Sequence, residues 1–265
     1  MPATIGSVSA AQPEFMPAEE RRRRARSFAG VAAEYDRGRP GYPARAIEWA
    51  LGPDPLDVLD IGAGTGKLTQ AVLAAGHRVT AVEPLAEMRA VLESRAPAVR
   101  VIEATAERLP LGDATVDAVV VGAAFHWFDQ DAAFMEITRV LRPAGVLALL
   151  GNSFDTSTPW VAQLREILGP ATLGRPGHWP DADRLEGLFA DVQDSAFAHV
   201  QTVDLAQLRD YASSRSGFAV LAPEERSARL AEIDALWNQT PELAGHATGE
   251  LPWSTRVRRA RGLRR

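Results

Sequence analysis

The sequence predicts an α/β fold built on a parallel sheet. Three observations support it. A short apolar run ends in a glycine-rich loop that opens into an amphipathic segment, an acidic residue closes the next apolar run, and apolar runs then alternate with helical patterns. Regular alternation of this kind is typical of strand–helix–strand units whose strands lie parallel.

The glycine loop is the most informative segment. Residues 58–69 read VLDIGAGTGKLT, in which Val58, Leu59 and Ile61 favour a strand. The pattern at 67–75 predicts a helix. Glycines let the backbone approach a ligand closely, and the start of the helix offers unpaired N–H groups. Glu83 closes the second predicted strand, 78–83, where an acid can accept hydrogen bonds from both ribose hydroxyls of a nucleoside.

The glycine spacing narrows the choice of nucleoside. Gly62, Gly64 and Gly66 are spaced G-x-G-x-G, whereas a dinucleotide fold has G-x-G-x-x-G and a P-loop ends in lysine and a hydroxyl residue. Leu68 stands where that hydroxyl would be. Asp60, just before the first glycine, is poorly suited to a pyrophosphate and well suited to a cationic ligand.

This D-x-G-x-G-x-G pattern resembles the first motif of class I S-adenosylmethionine-dependent methyltransferases, in particular the branch that acts on small molecules. The resemblance implies S-adenosyl-L-methionine as cofactor and S-adenosyl-L-homocysteine as product, without a metal. It implies that Ala63 and the three glycines pack against the methionine part, that Asp60 faces its ammonium and that Glu83 holds the ribose. The alternative is an ordinary strand–turn–helix whose glycines serve only the turn.

Residues 1–25 are expected to form a disordered tail, with translation starting at Met1 or Met16. The basic run at 21–24 is either a solvated cluster or a nucleic-acid contact. We expect a single domain over 26–265. Its cofactor-binding core is expected at about 44–152, substrate and lid elements at about 26–43 and 153–250, and a closing strand at about 250–260.

The leader over 28–43 contains F-x-x-x-A-x-x-Y followed by R-P-x-Y-P. It is similar to the leader of small-molecule methyltransferases, which folds over the cofactor. Tyr35 and Arg39 are then expected at the mouth of the pocket, where they meet the methionine carboxylate or an anionic substrate. The alternative is a packed helix face formed by Phe28, Ala32 and Tyr35. A helix is predicted over 44–51.

The segment after Glu83 is expected to form the adenine side of the site. Pro84 begins a predicted helix in which Met88 either fills the core or borders the adenine. A third strand is predicted over 99–103. Residues 104–110, ATAERLP, look like the family's adenine-binding segment, which implies Ala106 and Glu107 at the cofactor. Thr105 stands where the family commonly has aspartate, so adenine recognition loses a charged acceptor.

The fourth strand, 118–121, leads into GAAFHWFD at 122–129, similar to a frequent strand end in this family. Ligands of open α/β sheets bind at the carboxyl ends of strands. His126 is therefore the candidate base or substrate contact, or else it only orients a neighbouring loop. The resemblance also implies Ala123 at the cofactor. Three aromatic residues are candidates for the substrate pocket: Phe125, Trp127 and Trp160; the last two have packing as their alternative role.

The remaining elements complete the predicted fold. Asp129 is predicted to cap a helix over 132–141, followed by a strand at 146–150. Further on, the patterns predict helices at 160–168, 205–216 and 223–237, a strand at 196–203 and a final edge strand at 251–258. The resemblance implies a Rossmann-like, seven-stranded, mostly parallel sheet with helices on both faces, a last strand that is antiparallel, and helical lid insertions.

Composition excludes several classes of function. The 265 residues carry a net charge of −5 and contain no cysteine, which excludes disulfides and a cysteine nucleophile. Membrane-length apolar runs are absent, so a cytoplasmic protein is expected. Arginine greatly outnumbers lysine, which suggests a bacterial source. Histidines are scattered without metal-ligand spacing, and the N/D-P-P-Y/F motif of amine methyltransferases does not follow strand four.

We therefore expect methyl transfer to a small-molecule acceptor by in-line displacement, at oxygen, nitrogen or carbon or as a carboxyl methyl ester. We expect no membrane partner, a nucleic-acid partner is disfavoured, and the protein is expected to be a monomer or homodimer. Two alternatives are a non-catalytic regulatory protein that binds S-adenosylmethionine, and a methyltransferase that acts on protein or RNA.

Overall fold

The computed structural model describes Gly30 and residues 32–169, 179–180, 182–219 and 221–264. The predicted tail at 1–25, the basic run within it and Phe28 lie outside these residues. The described helices, in chain order, are α1 (Ala32–Gly38), α2 (Ala44–Leu51), α3 (Lys67–Ala74), α4 (Ala86–Arg95), α5 (Gln130–Val140), α6 (Pro159–Ile167), α7 (Ala182–Leu188), α8 (Leu205–Ser213), α9 (Ser216–Ala219) and α10 (Pro223–Gln239).

Seven strands form one sheet. They are β1 (Asp57–Ile61), β2 (Arg78–Val82), β3 (Arg100–Ile102), β4 (Val116–Gly122), β5 (Leu141–Phe154), β6 (Phe189–Val203) and β7 (Gly249–Leu263). Their order is β3-β2-β1-β4-β5-β7-β6. Strands β1 to β5 pair in parallel, and β7 runs antiparallel to both β5 and β6. The predicted fold class is confirmed.

The prediction that the last strand lies at the sheet edge is wrong. Strand β7 lies between β5 and β6, and β6 is the edge. Strand β6 begins at Phe189, seven residues before the predicted start at 196, and pairs with β7 over its whole length. Pro252 near the start of β7 lies opposite Val200, and its carbonyl accepts a hydrogen bond from the Asp155 N–H.

Alternate residues of β4 point to two different hydrophobic clusters. Val119 and Val121 pack in a cluster with residues of α5 and α7, whereas Ala118 and Val120 pack in a cluster with residues of α2 and α3. Period-two alternation in a strand that is buried on both sides places a helical layer on each face of the sheet. A third cluster joins α6, α8 and α10 to the first half of β7 and forms the core of the lid.

Helix α1 of the leader forms ion pairs with both the core and the lid. Asp36 in α1 is only 3% exposed and forms ion pairs with Lys67 at the start of α3 and with Arg95 at the end of α4. Arg37 donates to the Asp210 carboxylate of α8 at 2.7 Å. Helix α1 therefore joins two core helices to one lid helix.

Within the described residues, every helix is too short or too polar to serve as a membrane span.

The contact between α1 and α8 predicts a steric requirement at Gly38. A Cβ at this residue would lie 2.3 Å from the backbone nitrogen of Tyr211, closer than any real contact. We expect Gly38→Ala to lower the free energy of unfolding by roughly 1–3 kcal/mol, as overpacking does elsewhere. Urea denaturation measures the change.

The matched control is Gly41→Ala, three residues further along the same leader, where nothing lies within 4 Å of the added Cβ. It should shift stability by less than about 0.5 kcal/mol. Equal effects of the two substitutions would contradict the close packing of α1 on α8.

Candidate active site

The loop after β1 changes direction at three glycines that have positive φ. Gly62, Gly64 and Gly66 have φ of 69°, 57° and 86°, a region that side chains strain to adopt. A Cβ on Gly62 would lie 2.7 Å from the Ala124 Cβ, whereas the Cβ position of Gly64 faces open space. The loop therefore packs tightly against the end of β4 and leaves room beside Gly64 for a ligand.

Glu83 joins the glycine loop to the turn after β2. Its side chain is 5% exposed, and its two carboxylate oxygens accept hydrogen bonds from the N–H groups of Gly64 and Leu85, each at 2.9 Å. Burial raises the pKa of Glu83, and the two backbone N–H groups partly offset that rise. Each oxygen keeps a second lone pair with which to accept a further hydrogen bond.

Asp60 is fully buried at the end of β1. One carboxylate oxygen accepts a hydrogen bond from the Thr69 hydroxyl at 2.6 Å, and the other has no partner among the described residues. Burial is the main reason that the pKa of Asp60 rises to about 7, and the nearby Glu83 adds to it. A buried, partly unsatisfied carboxylate is suited to a cationic ligand. The residues present therefore fit the ammonium group of S-adenosylmethionine.

Arg39 is held between two aromatic rings. Its guanidinium carbon lies 4.9 Å from the ring centres of both Tyr35 and Tyr211, and it donates to the side-chain and backbone oxygens of Ser214 at 3.1 and 3.2 Å. Burial raises the pKa of Tyr35, Arg39 lowers it, and the negative Glu83 raises it further, which places this phenol near the acid after β2. The leader and lid therefore meet here, close to Glu83 at the carboxyl end of β2.

The contributions of Tyr211 and Ser214 to this site were missed in the sequence. Both lie more than 170 residues from Arg39, in and just after a helix whose pattern predicts only packing. No local spacing relates them to the leader, so no sequence signal was present that identifies them.

The predicted adenine segment lies beside the β4 loop. Ala106 is 2% exposed, Thr105 is exposed, and the Glu107 carboxylate accepts from the Asp129 N–H at 2.8 Å. Glu136 and Arg139 of α5, also missed in the sequence, bind the N–H and carbonyl of Leu109. Helix α5 thus fixes the backbone of this segment.

Met88 and Pro84 lie in the segment after β2. Met88 is 3% exposed in α4, which supports its packing role. Pro84 is exposed, two residues before α4 begins.

Phe125 lies in the core, which favours a packing role, and its place in the substrate pocket stays a prediction. Its side chain is 2% exposed and packs against the rings of Phe128 and Phe134 at 5.6 and 5.2 Å. The reason is a single turn of 3-10 helix over Phe125–Trp127, which begins after Ala123 adopts a φ of 54°. This turn buries the first residue of the segment.

His126 and Trp127 follow in the same turn and are half-buried, with ring centres 4.4 Å apart. They remain at the carboxyl end of β4, where the substrate side of the site was predicted. The predicted cap is confirmed, because the Asp129 carboxylate accepts from the Ala132 N–H at the start of α5.

Trp160 lies in the lid core, in a different hydrophobic cluster from Phe125. It is 6% exposed and borders a cavity of about 620 Å³ between α6 and α10. Core filling is therefore the role that its burial supports, and its place in the substrate pocket stays a prediction.

No group of three or more histidine, aspartate or glutamate side chains converges within the described ranges.

The raised pKa of Asp60 predicts how stability depends on pH. A carboxyl whose folded pKa lies near 7, above its ordinary 3.8, stabilises the fold at low pH, and this contribution is lost as the pH rises through 7. Asp60→Asn keeps an acceptor for Thr69 and never ionises. As the pH rises from 4 to 8, we expect the free energy of unfolding of the variant to increase relative to that of wild type by a few kcal/mol. Each pKa unit corresponds to about 1.4 kcal/mol.

Urea denaturation at pH 4 and pH 8 makes the comparison. Asp57→Asn is the control, and its stability relative to wild type should change with pH in the opposite direction. The hydrogen bond to Arg78 lowers the pKa of Asp57, so the ionised form of Asp57 is favourable. A difference between wild type and Asp60→Asn that is independent of pH would show that Asp60 does not titrate near 7.

Comparisons with known proteins agree with this geometry. A family model described as a methyltransferase domain matches residues 59–149. The chain is 39% identical over 232 residues to an uncharacterised methyltransferase of Mycobacterium tuberculosis, covering 86% of this chain and 93% of the relative. It is 32% identical over 171 residues to a ubiquinone/menaquinone biosynthesis C-methyltransferase of Rubrivivax gelatinosus, covering 61% and 67%.

The fold is also that of a solved structure from Anaeromyxobacter dehalogenans, assigned as a type II methyltransferase. The TM-score is 0.61 at 24% identity, covering 84% of this chain and 97% of the other. The motif, the sheet order and the relatives agree: the chain belongs to the class I S-adenosylmethionine-dependent methyltransferases.

Proposed function

We propose that the enzyme transfers a methyl group from S-adenosylmethionine to a small-molecule acceptor, with the cofactor at the carboxyl ends of β1, β2 and β4. The observation that carries the proposal is the Glu83 carboxylate, which bridges the glycine loop and the next turn while both of its oxygens retain acceptor capacity. Its position after β2 suits a ribose diol.

The bound cofactor would supply an activated methyl group on a sulfonium. The task of the protein is then to hold the two reactants in line and to exclude water. We assign the ribose to Glu83, the positive charge to Asp60, and the adenine to the backbone around Thr105 and Ala106. The leader covers the carboxyl ends of these strands because α1 is ion-paired to α3 and α4.

We assign the acceptor side to the turn after β4. His126 is half-buried there, with its ring against Trp127. A histidine at this position is suited to removing a proton from a hydroxyl acceptor near neutral pH. Arg39 is engaged with Ser214 and two tyrosine rings, which favours a role in joining the leader to the lid.

Two observations favour a small-molecule acceptor over a nucleic acid. The Rubrivivax relative is named for quinone biosynthesis. The arginine-rich end of β7 is engaged within the fold: Arg258 pairs with Asp194, Arg259 donates to the Trp49 carbonyl, and Arg264 donates to the Phe189 carbonyl. We propose that residues 153–250, which form the lid, select the acceptor.

The role of Glu83 is tested by Glu83→Gln. An amide can offer only one acceptor oxygen, so it would direct an N–H₂ group at the backbone N–H of Gly64 or Leu85. We expect the Kd for S-adenosylhomocysteine, measured by isothermal titration calorimetry, to rise more than about tenfold, since a hydrogen bond to a charged group contributes roughly 1.5–3 kcal/mol.

Glu87→Gln is the matched control, the same chemical change on an exposed residue in the first turn of α4. It should leave the Kd within about twofold, because surface changes away from a site have small effects. Equal affinity of wild type and Glu83→Gln would contradict the assignment. Tight binding without methyl transfer to any acceptor in a metabolite library would favour a regulatory role.

A further inference from the structure

Arg256 of β7 is an exposed cation without a polar partner. Its neighbour on the same face of the strand, Arg258, is ion-paired with Asp194. Arg256 itself makes no hydrogen bond or ion pair within the part of the chain that the structure describes. Its neighbours across the sheet are Gly151 of β5 and Ala196 of β6, which carry no charge. The guanidinium is therefore available to an anion from outside the chain.

An aromatic ring holds this guanidinium. Its carbon lies 5.4 Å from the ring centre of Trp179, and the guanidinium carbon of Arg258 lies 5.8 Å from the same centre. Contact with a ring face leaves the N–H groups at the edges of the planar guanidinium free to donate. Two of these N–H groups match the two oxygens of a carboxylate. Arg256 is thus oriented for recognition of an anion through two hydrogen bonds.

The Trp179 ring lies beside the turn after β4. A Cβ on Gly151 would lie 3.4 Å from the ring, so the indole covers this glycine. Gly151 directly follows Leu150, which pairs with Gly122 at the end of β4. Alternation along β5 places Gly151 on the face of Leu149, whose cluster includes the turn after β4, and Trp179 packs against this cluster. Arg256 and Trp179 therefore lie on the side of the sheet to which we assign the acceptor.

The charges around Arg256 favour an anion with one negative charge. The hydrogen bonds from Arg258 lower the pKa of Asp194, and the positive charge of Arg256 lowers it further, so this acid is ionised. Two guanidinium groups and one carboxylate leave one positive charge. A carboxylate balances that charge, whereas a phosphate monoester carries roughly 1.5–2 negative charges at neutral pH.

We propose that Arg256 selects acceptors that carry a carboxylate, and that its guanidinium donates two hydrogen bonds to this group while it rests on the Trp179 ring. The inference depends on the proposed function and narrows it, because the acceptor becomes a carboxylic acid. It also assigns a role in acceptor selection to β7, outside the segment 153–250.

The test measures binding to the protein saturated with S-adenosylhomocysteine, by isothermal titration calorimetry. The probes are a panel of aliphatic and aromatic carboxylic acids, each with its primary amide and with a phosphate monoester of similar length. We expect acids to bind wild type more than about tenfold tighter than their amides, the effect of hydrogen bonds to a charged group. In Arg256→Gln, the Kd for the acids should rise more than about tenfold, and that for the amides should stay within about twofold.

Arg100→Gln is the matched control, the same change on an exposed residue at the start of β3. It should leave every Kd within about twofold. Both variants should bind S-adenosylhomocysteine as wild type does, which verifies that they are folded.

Three results would overturn the role of Arg256: no acid binds, amides or phosphate monoesters bind as tightly as acids, or Arg256→Gln binds the acids as wild type does. A wild-type protein that fails to bind S-adenosylhomocysteine would overturn the proposed function together with this inference. That failure is distinct, because it appears before any acid is added.

Discussion

The arrangement of the site depends on one buried carboxylate. Glu83 accepts hydrogen bonds from the N–H groups of Gly64 and Leu85, and so it fixes the turn after β1 relative to the turn after β2. These two turns follow neighbouring parallel strands, and the N–H groups of Gly62 and Ala63 also donate to the Val82 carbonyl at the end of β2. The Glu83 bridge adds to these contacts at Gly64, where glycine restricts the backbone least.

Glu83, together with Asp60, lowers the stability of the fold when no ligand is bound. Asp60 and Glu83 are both nearly buried, and burial raises the pKa of each. Ionised acids that lie close together in a poorly solvated region destabilise the fold until a positive charge balances them. The carboxyl ends of β1 and β2 are thus suited to a cation. We therefore propose that cofactor binding and stability are coupled through these two groups.

The leader closes this edge through contacts that lie far apart in sequence. Asp36 reaches α3 and α4, Arg37 reaches α8, and Arg39 lies between the rings of Tyr35 and Tyr211. Core and lid therefore meet at the leader as well as along the sheet. This arrangement gives a physical reason for a lid inserted before the final strand: α8 supplies the surface on which α1 packs.

The sequence pattern predicted the elements that depend on residues close together in the chain. The strand, loop and helix around the three glycines, the cap at Asp129 and the parallel half of the sheet are confirmed. The interior position of β7 was not predictable, because period-two alternation does not reveal how many neighbours a strand has. The burial of Phe125 was not predictable for a related reason: a single 3-10 turn decides which side chain enters the core. The position of Arg39 at the mouth of the pocket stays a prediction, and its partners Tyr211 and Ser214 lie in α8 and just beyond it.

We propose that the carboxyl ends of β1, β2 and β4 form the cofactor site. A crystal structure of the protein with S-adenosylhomocysteine tests it most directly. We predict electron density for the ribose against Glu83 and for the amino-acid end beside Asp60. Density in the cavity between α6 and α10, with the Gly62–Gly66 loop empty, would contradict it.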